Sequence, residues 1–90
     1  MFLAIDVGNT NIVLGLYEAK KLVHHWRLQT NVGRTADEYG VTVSSLLAGA
    51  GNPQIGGIAI SSVVPPMNRL LAALCERYIG CKPLFIGPVV

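Results

Sequence analysis

The sequence predicts an α/β domain built on a mixed sheet, and three patterns support this fold class. Apolar runs at residues 2–5 and 58–64 lack polar alternation, as is typical of interior strands. The first three strand-like runs are joined by connections too short for parallel crossovers, which predicts an antiparallel meander. Two later segments carry apolar residues at helical spacing, which predicts helices that pack on the sheet.

Length and composition limit the organisation of the chain. Ninety residues are enough for one small domain with a core and too few for two. Hydrophobic residues make up 51% and charged residues only 13%, whereas an average soluble domain carries about 25% charged residues. We therefore expect part of the apolar surface to meet something outside these residues, either the rest of a longer chain or a second subunit.

Charge and hydropathy exclude several classes of partner. No apolar run reaches the roughly 18 to 20 residues of a membrane span, because the N-terminal half is interrupted by Asp6, Asn9, Asn11, Glu18 and Lys20. The N-terminus has no basic segment ahead of an apolar one, so it does not resemble a secretory signal. A net charge of +2 with a single basic pair, Lys20–Lys21, gives no basic stripe for nucleic acid. These features predict a cytoplasmic protein that binds neither membrane nor nucleic acid.

The first predicted strand, Phe2–Ile5, leads directly into a polar turn. Because the strand looks covered on both faces, an unpaired carboxylate at Asp6 would be costly there without a partner. Gly8 can turn the chain through positive φ and leave room for a ligand, and Asn9 and Thr10 add short side-chain donors. Such a turn can hold phosphate, with Mg²⁺ between the Asp6 carboxylate and the phosphate oxygens, which indicates a nucleotide. The alternative is an ordinary hairpin turn, in which Gly and Asn are common.

The second and third strands complete the predicted meander. The second is Ile12–Tyr17, and the polar segment Glu18–Lys21 turns the chain into the third, Leu22–Thr30. Alternation places Leu22, His24, Trp26 and Leu28 on one face of the third strand and Val23, His25, Arg27 and Gln29 on the other. The two histidines therefore cannot chelate one ion together. Trp26 is expected in the core or an interface, and Arg27 in solvent or an interface.

The first predicted helix begins with a capping box at Thr35–Glu38. Capping and the helix dipole explain Asp37 and Glu38 without a catalytic role. Its apolar face is formed by Tyr39, Val43, Leu46, Leu47 and Ala50. Gly51 and Pro53 should end the helix.

The second half alternates strand and helix. A buried, parallel strand is predicted at Ile58–Val64; its Ser61–Ser62 pair has no histidine partner and is expected to serve strand packing, with Ser62 facing a cleft as the less favoured alternative. Pro65–Pro66 should open a second helix that ends before Gly80. Its apolar stripe comprises Met67, Leu70, Leu71, Leu74, Cys75 and Tyr78.

The last predicted strand and the cysteines complete the pattern. Pro83–Ile86, bounded by Gly87 and Pro88, is expected to be a third parallel strand or an edge strand. Cys75 and Cys81 fit neither a redox pair nor a zinc knuckle, and Cys75 is expected to pack in the core. The order of elements resembles a ribonuclease H-like sheet, in which a further helix normally follows, so we expect that the chain stops before its final helix.

Four segments resemble the type III pantothenate kinase family, which belongs to the acetate and sugar kinase, chaperone and actin superfamily. Residues 6–10 (Asp-Val-Gly-Asn-Thr) resemble its first phosphate motif, and residues 26–30 (Trp-Arg-Leu-Gln-Thr) its Trp-Arg-Leu-Ser/Thr-Thr strand. Residues 35–39 resemble its Thr-x-Asp-Glu helix start, and residues 61–65 its Ser-Ser-Val-Val-Pro segment. The matches occur in the family's order and cover most of the chain.

This resemblance implies transfer of the ATP γ-phosphoryl group to the primary hydroxyl of pantothenate, the first step of coenzyme A synthesis. It assigns an ATP-phosphate hairpin with Asp6 toward the metal, formed by Asp6, Val7, Gly8, Asn9, Thr10, Asn11, Ile12 and Val13. The family also implies Mg²⁺, a monovalent cation (K⁺ or NH₄⁺) and a homodimer.

The resemblance also indicates what these residues lack. Family members have two ribonuclease H-like halves, and their catalytic aspartate lies in a downstream Gly-Ala-Asp-Arg motif that this sequence does not contain. We therefore expect residues 1–90 to be the N-terminal part of the first domain, without the second domain, with the catalytic base beyond Val90 and no kinase activity alone. Two alternatives stay open: another small-molecule kinase of the superfamily, and a non-catalytic regulatory protein that binds ATP.

Overall fold

The first three strands form the predicted antiparallel meander. In the computed structural model, which describes residues 1–87, they are β1 (Phe2–Val7), β2 (Asn11–Glu18) and β3 (Lys21–Gln29). β2 pairs antiparallel with both β1 and β3. β1 is longer than predicted, so Asp6 lies inside the strand rather than after it.

The second half supplies the helices and the parallel strands. It comprises α1 (Ala36–Gly49), β4 (Gly57–Ser62), α2 (Pro65–Leu74) and β5 (Leu84–Ile86). β4 is parallel to β1, and β5 is parallel to β4 at the edge of a sheet with the order β3-β2-β1-β4-β5. The predicted mixed, ribonuclease H-like sheet is confirmed. The expected boundary at Pro88 lies outside the described residues.

The start of α1 is the predicted capping box. The Thr35 hydroxyl accepts a hydrogen bond from the Glu38 N–H at 3.1 Å, and the Glu38 carboxylate accepts one from the Thr35 N–H at 2.9 Å. Hydrogen bonding from Thr35 to the Glu38 carboxylate, first from the backbone and then from the side chain, holds the pKa of Glu38 below its ordinary value. Asp37 has a different role, because it accepts hydrogen bonds from Tyr78 at 2.7 Å and Arg77 at 3.3 Å.

The second helix begins at the predicted proline pair and changes its winding near its end. After α2 the chain continues as a π-helical turn, Cys75–Ile79, which the Gly80 N–H closes on the Cys75 carbonyl at 2.9 Å. The helical segment ends before Gly80 as predicted, but its last turn is π-helical where an α-helix was expected. Cys75 is fully buried as predicted, and burial is the main cause that raises the pKa of its thiol to about 12. Among residues 1–87, no helix is both long and apolar enough to cross a membrane.

The hydrophobic core lies between the two helices and one face of the sheet. On that face the strands contribute Leu3, Ile5, Val7, Ile12, Leu14, Leu16, Ile58 and Ile60. Both β3-α1-β4 and β4-α2-β5 connect parallel strands and advance in the same direction along the sheet. Because such crossovers are right-handed, both helices fall on the same face.

The opposite side of the sheet, called here the open face, has no helix on it within residues 1–87. It is formed by Phe2, Ala4, Asp6, Val13, Gly15, Tyr17, Ala59, Ser61, Leu84 and Ile86. Phe2 is 42% exposed and Leu84 67% exposed, and Asp6 is also exposed. The prediction that β1 is covered on both faces is therefore wrong for the described residues, and part of the exposed apolar surface inferred from composition lies here.

A β-bulge changes the face assignments of Leu22 and Val23 on β3, and Val23 packs against the core as Trp26 and Leu28 do. Leu16 pairs with His24, but the next residue of β2, Tyr17, pairs with Leu22, so Val23 is an extra residue on β3. Because side chains alternate along a strand, one inserted residue moves the β3 side chains that precede the bulge to the opposite face from the one predicted. Leu22 therefore lies on the open face with His25, whereas the prediction had placed it with His24.

Candidate functional site

The predicted phosphate-binding hairpin joins β1 to β2. Residues 8–10 form its tip, and the Gly8 N–H donates to the Asn11 carbonyl at 2.8 Å. Positive φ was predicted for Gly8 but occurs among the described glycines only at Gly51 and Gly80. At Gly8 a Cβ would lie 3.4 Å from the Asn11 carbonyl oxygen, so the glycine leaves this side of the tip free of a side chain.

The eight residues assigned to this hairpin lie together, but their side chains point in different directions. Val7 and Ile12 pair with each other and are buried on the helix side, at 1% and 2% exposure, so only their backbones can meet a ligand. Asp6 pairs with Val13, and both side chains lie on the open face. Asn9 and Thr10 are exposed at the tip, while Gly8 and Asn11 are half-buried.

Thr30, the first residue after β3, makes two hydrogen bonds to the backbone of the hairpin tip. Its hydroxyl donates to the Gly8 carbonyl at 2.7 Å, and its backbone N–H donates to the Thr10 carbonyl at 2.8 Å. The sequence pattern gave Thr30 no role in the hairpin beyond its place in the family-like strand. The one relevant signal in the sequence is that the alternating pattern of the third strand ends at Thr30, which places this residue beside the hairpin tip if the strands form a meander.

Thr30 is itself fixed through Tyr39 of α1. The Tyr39 hydroxyl donates to the Gln29 carbonyl at 2.7 Å and accepts from the Asn31 N–H at 2.8 Å. Tyr39 is 1% exposed, and the Arg34 guanidinium lies over its ring, 5.0 Å from the centroid. The predicted core residue therefore also holds the backbone on both sides of Thr30.

Asp6 lies in a row of side chains that crosses the open face. Through the strand registers the row runs from β3 to β5 as Arg27, Val13, Asp6, Ser61 and Ile86. Ser61 is the register partner of Asp6 on the neighbouring strand, at a strand spacing of about 4.8 Å. Both line a largely apolar cavity of about 240 Å³.

Ser61 and Ser62 both lie in β4 beside β1, and the less favoured alternative, in which Ser62 faces a cleft, is wrong. Ser62 pairs with the buried Val7, and its hydroxyl accepts from the Val64 N–H at 3.1 Å, so it does not face a cleft. Ser61 is the serine that faces the cavity beside Asp6. The sequence could not distinguish them, because the choice depends on the register between β1 and β4.

The side chains that could bind a metal are few. Within residues 1–87 no three side chains of His, Cys, Asp or Glu come together as a ligand group. Asp6 could supply one carboxylate, which suits Mg²⁺, because this ion usually keeps several waters and takes other oxygens from substrate phosphates. His24 and His25 point to opposite faces, as predicted; His24 stacks on Trp26 at 5.7 Å between ring centroids, and His25 lines the open-face cavity.

Solved structures similar to this chain support the fold. RuvC of Thermus thermophilus, solved in complex with a Holliday junction substrate, has a TM-score of 0.62 and 19% identity, covering 97% of this chain and 64% of RuvC. The Ppx/GppA phosphatase of Aquifex aeolicus has a TM-score of 0.56 and 12% identity, covering 97% of this chain and 35% of the phosphatase. At such low identity these likenesses concern the fold alone.

Sequence comparison is more specific. The model of the family described as type III pantothenate kinase matches residues 2–90. Type III pantothenate kinases of Brevibacillus brevis and Geobacter sulfurreducens are each 52% identical to 98% of the chain, and that of Halalkalibacterium halodurans is 54% identical to 98%. The chain spans 35% of the length of each of these relatives. With a family match over nearly all its residues and the family-like segments placed around one hairpin, this chain belongs to the type III pantothenate kinase family.

Proposed function

We propose that the protein containing residues 1–90 transfers the γ-phosphoryl group of ATP to pantothenate. The observation that carries this proposal is the family match over residues 2–90, which includes the whole hairpin. The RuvC-like fold does not alter it, because that likeness is limited to the fold. With a net charge of +2 and no basic stripe, the chain favours small-molecule substrates over nucleic acid.

In this proposal residues 1–90 bind and orient ATP. Asn9 and Thr10 are exposed at the hairpin tip and can donate hydrogen bonds to phosphate oxygens. The exposed Asp6 carboxylate would hold Mg²⁺, which neutralises phosphate charge when bound. Val7 and Ile12 anchor the hairpin in the core, so its tip stays in one position relative to Asp6.

Proton removal from the acceptor hydroxyl is assigned to residues outside this sequence. Residues 1–90 contain no Gly-Ala-Asp-Arg motif. The groups described here can position phosphates and neutralise their charge, which is most of what a protein contributes to phosphoryl transfer. The proposal is therefore that residues 1–90 form one half of an ATP site and have no kinase activity alone.

Four further properties are proposed from family membership: binding of Mg²⁺, use of a monovalent cation (K⁺ or NH₄⁺), assembly as a homodimer and a cytoplasmic location. The exposed Asp6 carboxylate supports the first of these. Activity assays with and without Mg²⁺ test the first property, and assays in which NH₄⁺ or Na⁺ replaces K⁺ test the second. Light scattering, which gives the number of subunits, tests the third.

The experiment is an acceptor comparison with the complete translated protein that contains residues 1–90. ADP formation should depend on pantothenate and should not occur with acetate or a hexose as acceptor. Faster turnover with a sugar or a carboxylate would contradict the proposal and favour another kinase of the superfamily. Tight ATP binding without transfer to any acceptor would favour a regulatory protein.

A further inference from the structure

We propose that Thr30 positions the phosphate-binding hairpin and that its hydroxyl sets the affinity of the protein for ATP. The inference rests on the proposed function only in treating residues 8–11 as the place where phosphate binds. Thr30 lies outside that hairpin, on the far side of β2 from β1. It makes two hydrogen bonds to the tip, one from its side chain and one from its backbone.

The two bonds fix the direction of backbone donors. The Thr30 hydroxyl binds the Gly8 carbonyl at 2.7 Å, and the Thr30 N–H binds the Thr10 carbonyl at 2.8 Å. In a planar trans peptide the carbonyl and the following N–H point in opposite directions. The N–H groups of Asn9 and Asn11 are therefore both directed away from Thr30. Backbone N–H groups at a turn can bind an anion when they are held on one side of it, and the two bonds of Thr30 hold these two alternate N–H groups in that way.

Tyr39 makes this arrangement rigid. Its buried hydroxyl binds the backbone of Gln29 and of Asn31, the two neighbours of Thr30, at 2.7 Å and 2.8 Å. A shift of Thr30 relative to α1 would break one or both bonds. Thr30 is therefore a positioning residue that acts through the hairpin, not a residue that contacts ATP.

The chain offers a matched set of variants to test this role. Thr30→Val keeps the shape of the side chain and removes its hydroxyl, whereas Thr30→Ser keeps the hydroxyl. Thr42→Val is the control, because the Thr42 hydroxyl donates to the Glu38 carbonyl within α1 at 3.1 Å, away from the hairpin. Each variant is made in the complete protein, and Mg-ATP binding is measured by calorimetry without pantothenate.

Loss of one positioning hydrogen bond should weaken Mg-ATP binding by about fivefold to tenfold in Thr30→Val. Thr30→Ser and Thr42→Val should bind Mg-ATP like the wild type. In turnover assays Thr30→Val should raise KM for ATP while KM for pantothenate stays unchanged, a split that general loss of stability would not produce. Wild-type ATP affinity in Thr30→Val, or equal weakening in Thr30→Ser, would overturn the inference.

Two further results separate this inference from the proposed function. If the wild type binds Mg-ATP but does not phosphorylate pantothenate, and Thr30→Val weakens that binding, the positioning role stands and the proposed function fails. If pantothenate is phosphorylated and Thr30→Val binds ATP normally, the proposed function stands and the positioning role fails. If Thr30→Val does not fold, Tyr39→Phe is used instead; it should also raise KM for ATP, and an unchanged KM would overturn the inference.

Discussion

The contact between α1 and the π-helical turn predicts that two glycines of one helix respond in opposite ways to alanine. A Cβ on Gly40 would lie 2.3, 2.5 and 2.7 Å from three carbons of the Tyr78 ring, including Cγ. Because Cγ is attached close to the backbone, rotating the far end of the ring cannot relieve the overlap. At Gly49, in the same helix, a Cβ would meet nothing within 4 Å.

The balance of two effects sets the magnitude. Replacing glycine by alanine inside a helix stabilises it by about 0.5 to 1 kcal/mol. Overpacking a filled site costs about 1 to 3 kcal/mol. Gly49 is the last residue of α1, so Gly49→Ala gains only part of the stabilisation found inside a helix and should be slightly more stable than the wild type. At Gly40 three ring carbons would overlap the added Cβ, which places the overpacking cost in the upper half of its range, so Gly40→Ala should be destabilised by about 1 to 2 kcal/mol after the helical gain is subtracted.

Urea unfolding followed by circular dichroism measures the difference. With a slope of about 2 kcal/mol per molar urea, Gly40→Ala should lower the midpoint by roughly 0.5 to 1 M. In a Tyr78→Ala background the overlap is gone, so Gly40→Ala should no longer destabilise. A Gly40→Ala midpoint at or above that of the wild type would refute the packing of Tyr78 on Gly40.

Three other predictions concern titration, reactivity and exposed surface. Hydrogen bonds from Thr35 hold the pKa of Glu38 below 4.5, so their contribution is present above that pH and is lost as pH falls through the folded pKa. Urea unfolding at several pH values should therefore find the wild type more stable than Glu38→Gln near neutral pH, with the difference shrinking as pH falls through the folded pKa; a difference that does not change with pH would contradict this. Burial raises the pKa of Cys75 to about 12, so iodoacetamide at about pH 8 should modify Cys81 first, and mass spectrometry that finds Cys75 labelled first would contradict this burial. The 90-residue chain should bind the dye ANS on its open face, and Leu84→Lys, at a site 67% exposed, should reduce the fluorescence without shifting the unfolding midpoint.

Local patterns in the sequence were sufficient for most of the fold. The capping box needs only Thr35 and Glu38, the two ends of a four-residue segment, and the structure shows both of its bonds. The meander followed from short connections, and the parallel strands from apolar runs separated by helical patterns. These features depend on contacts between neighbours in the chain, which a sequence displays directly.

Details that depend on pairing could not be predicted. The bulge that puts Leu22 on the open face depends on the register between β2 and β3, and the choice between Ser61 and Ser62 depends on the register between β1 and β4. Whether β1 is covered on one face or two depends on which side both crossovers place their helices. None of these registers is set by a single segment.

The candidate site also combines features that local sequence indicates with contacts that depend on the folded structure. Asp6 and the hairpin were recognisable because the chemistry lies in consecutive residues. The contact of Thr30 with Gly8 joins residues 22 positions apart, and the Tyr39 hydroxyl reaches that region from a helix. The residues proposed to meet phosphate were therefore chosen from local sequence alone, while the contacts that hold their hairpin in place required the folded structure.

The central claim is that Asp6 and its hairpin bind Mg-ATP. It is tested most directly by titrating ATP, with and without Mg²⁺, into the complete translated protein and its Asp6→Asn and Asp37→Asn variants; Asp37 is a carboxylate on α1 bonded to Tyr78 and Arg77 and serves as the control. Mg²⁺ should tighten ATP binding in the wild type and in Asp37→Asn, and Asp6→Asn should lose about tenfold or more of that affinity, or ~1.4 kcal/mol. Equal Mg-ATP affinity in Asp6→Asn and the wild type would contradict the claim.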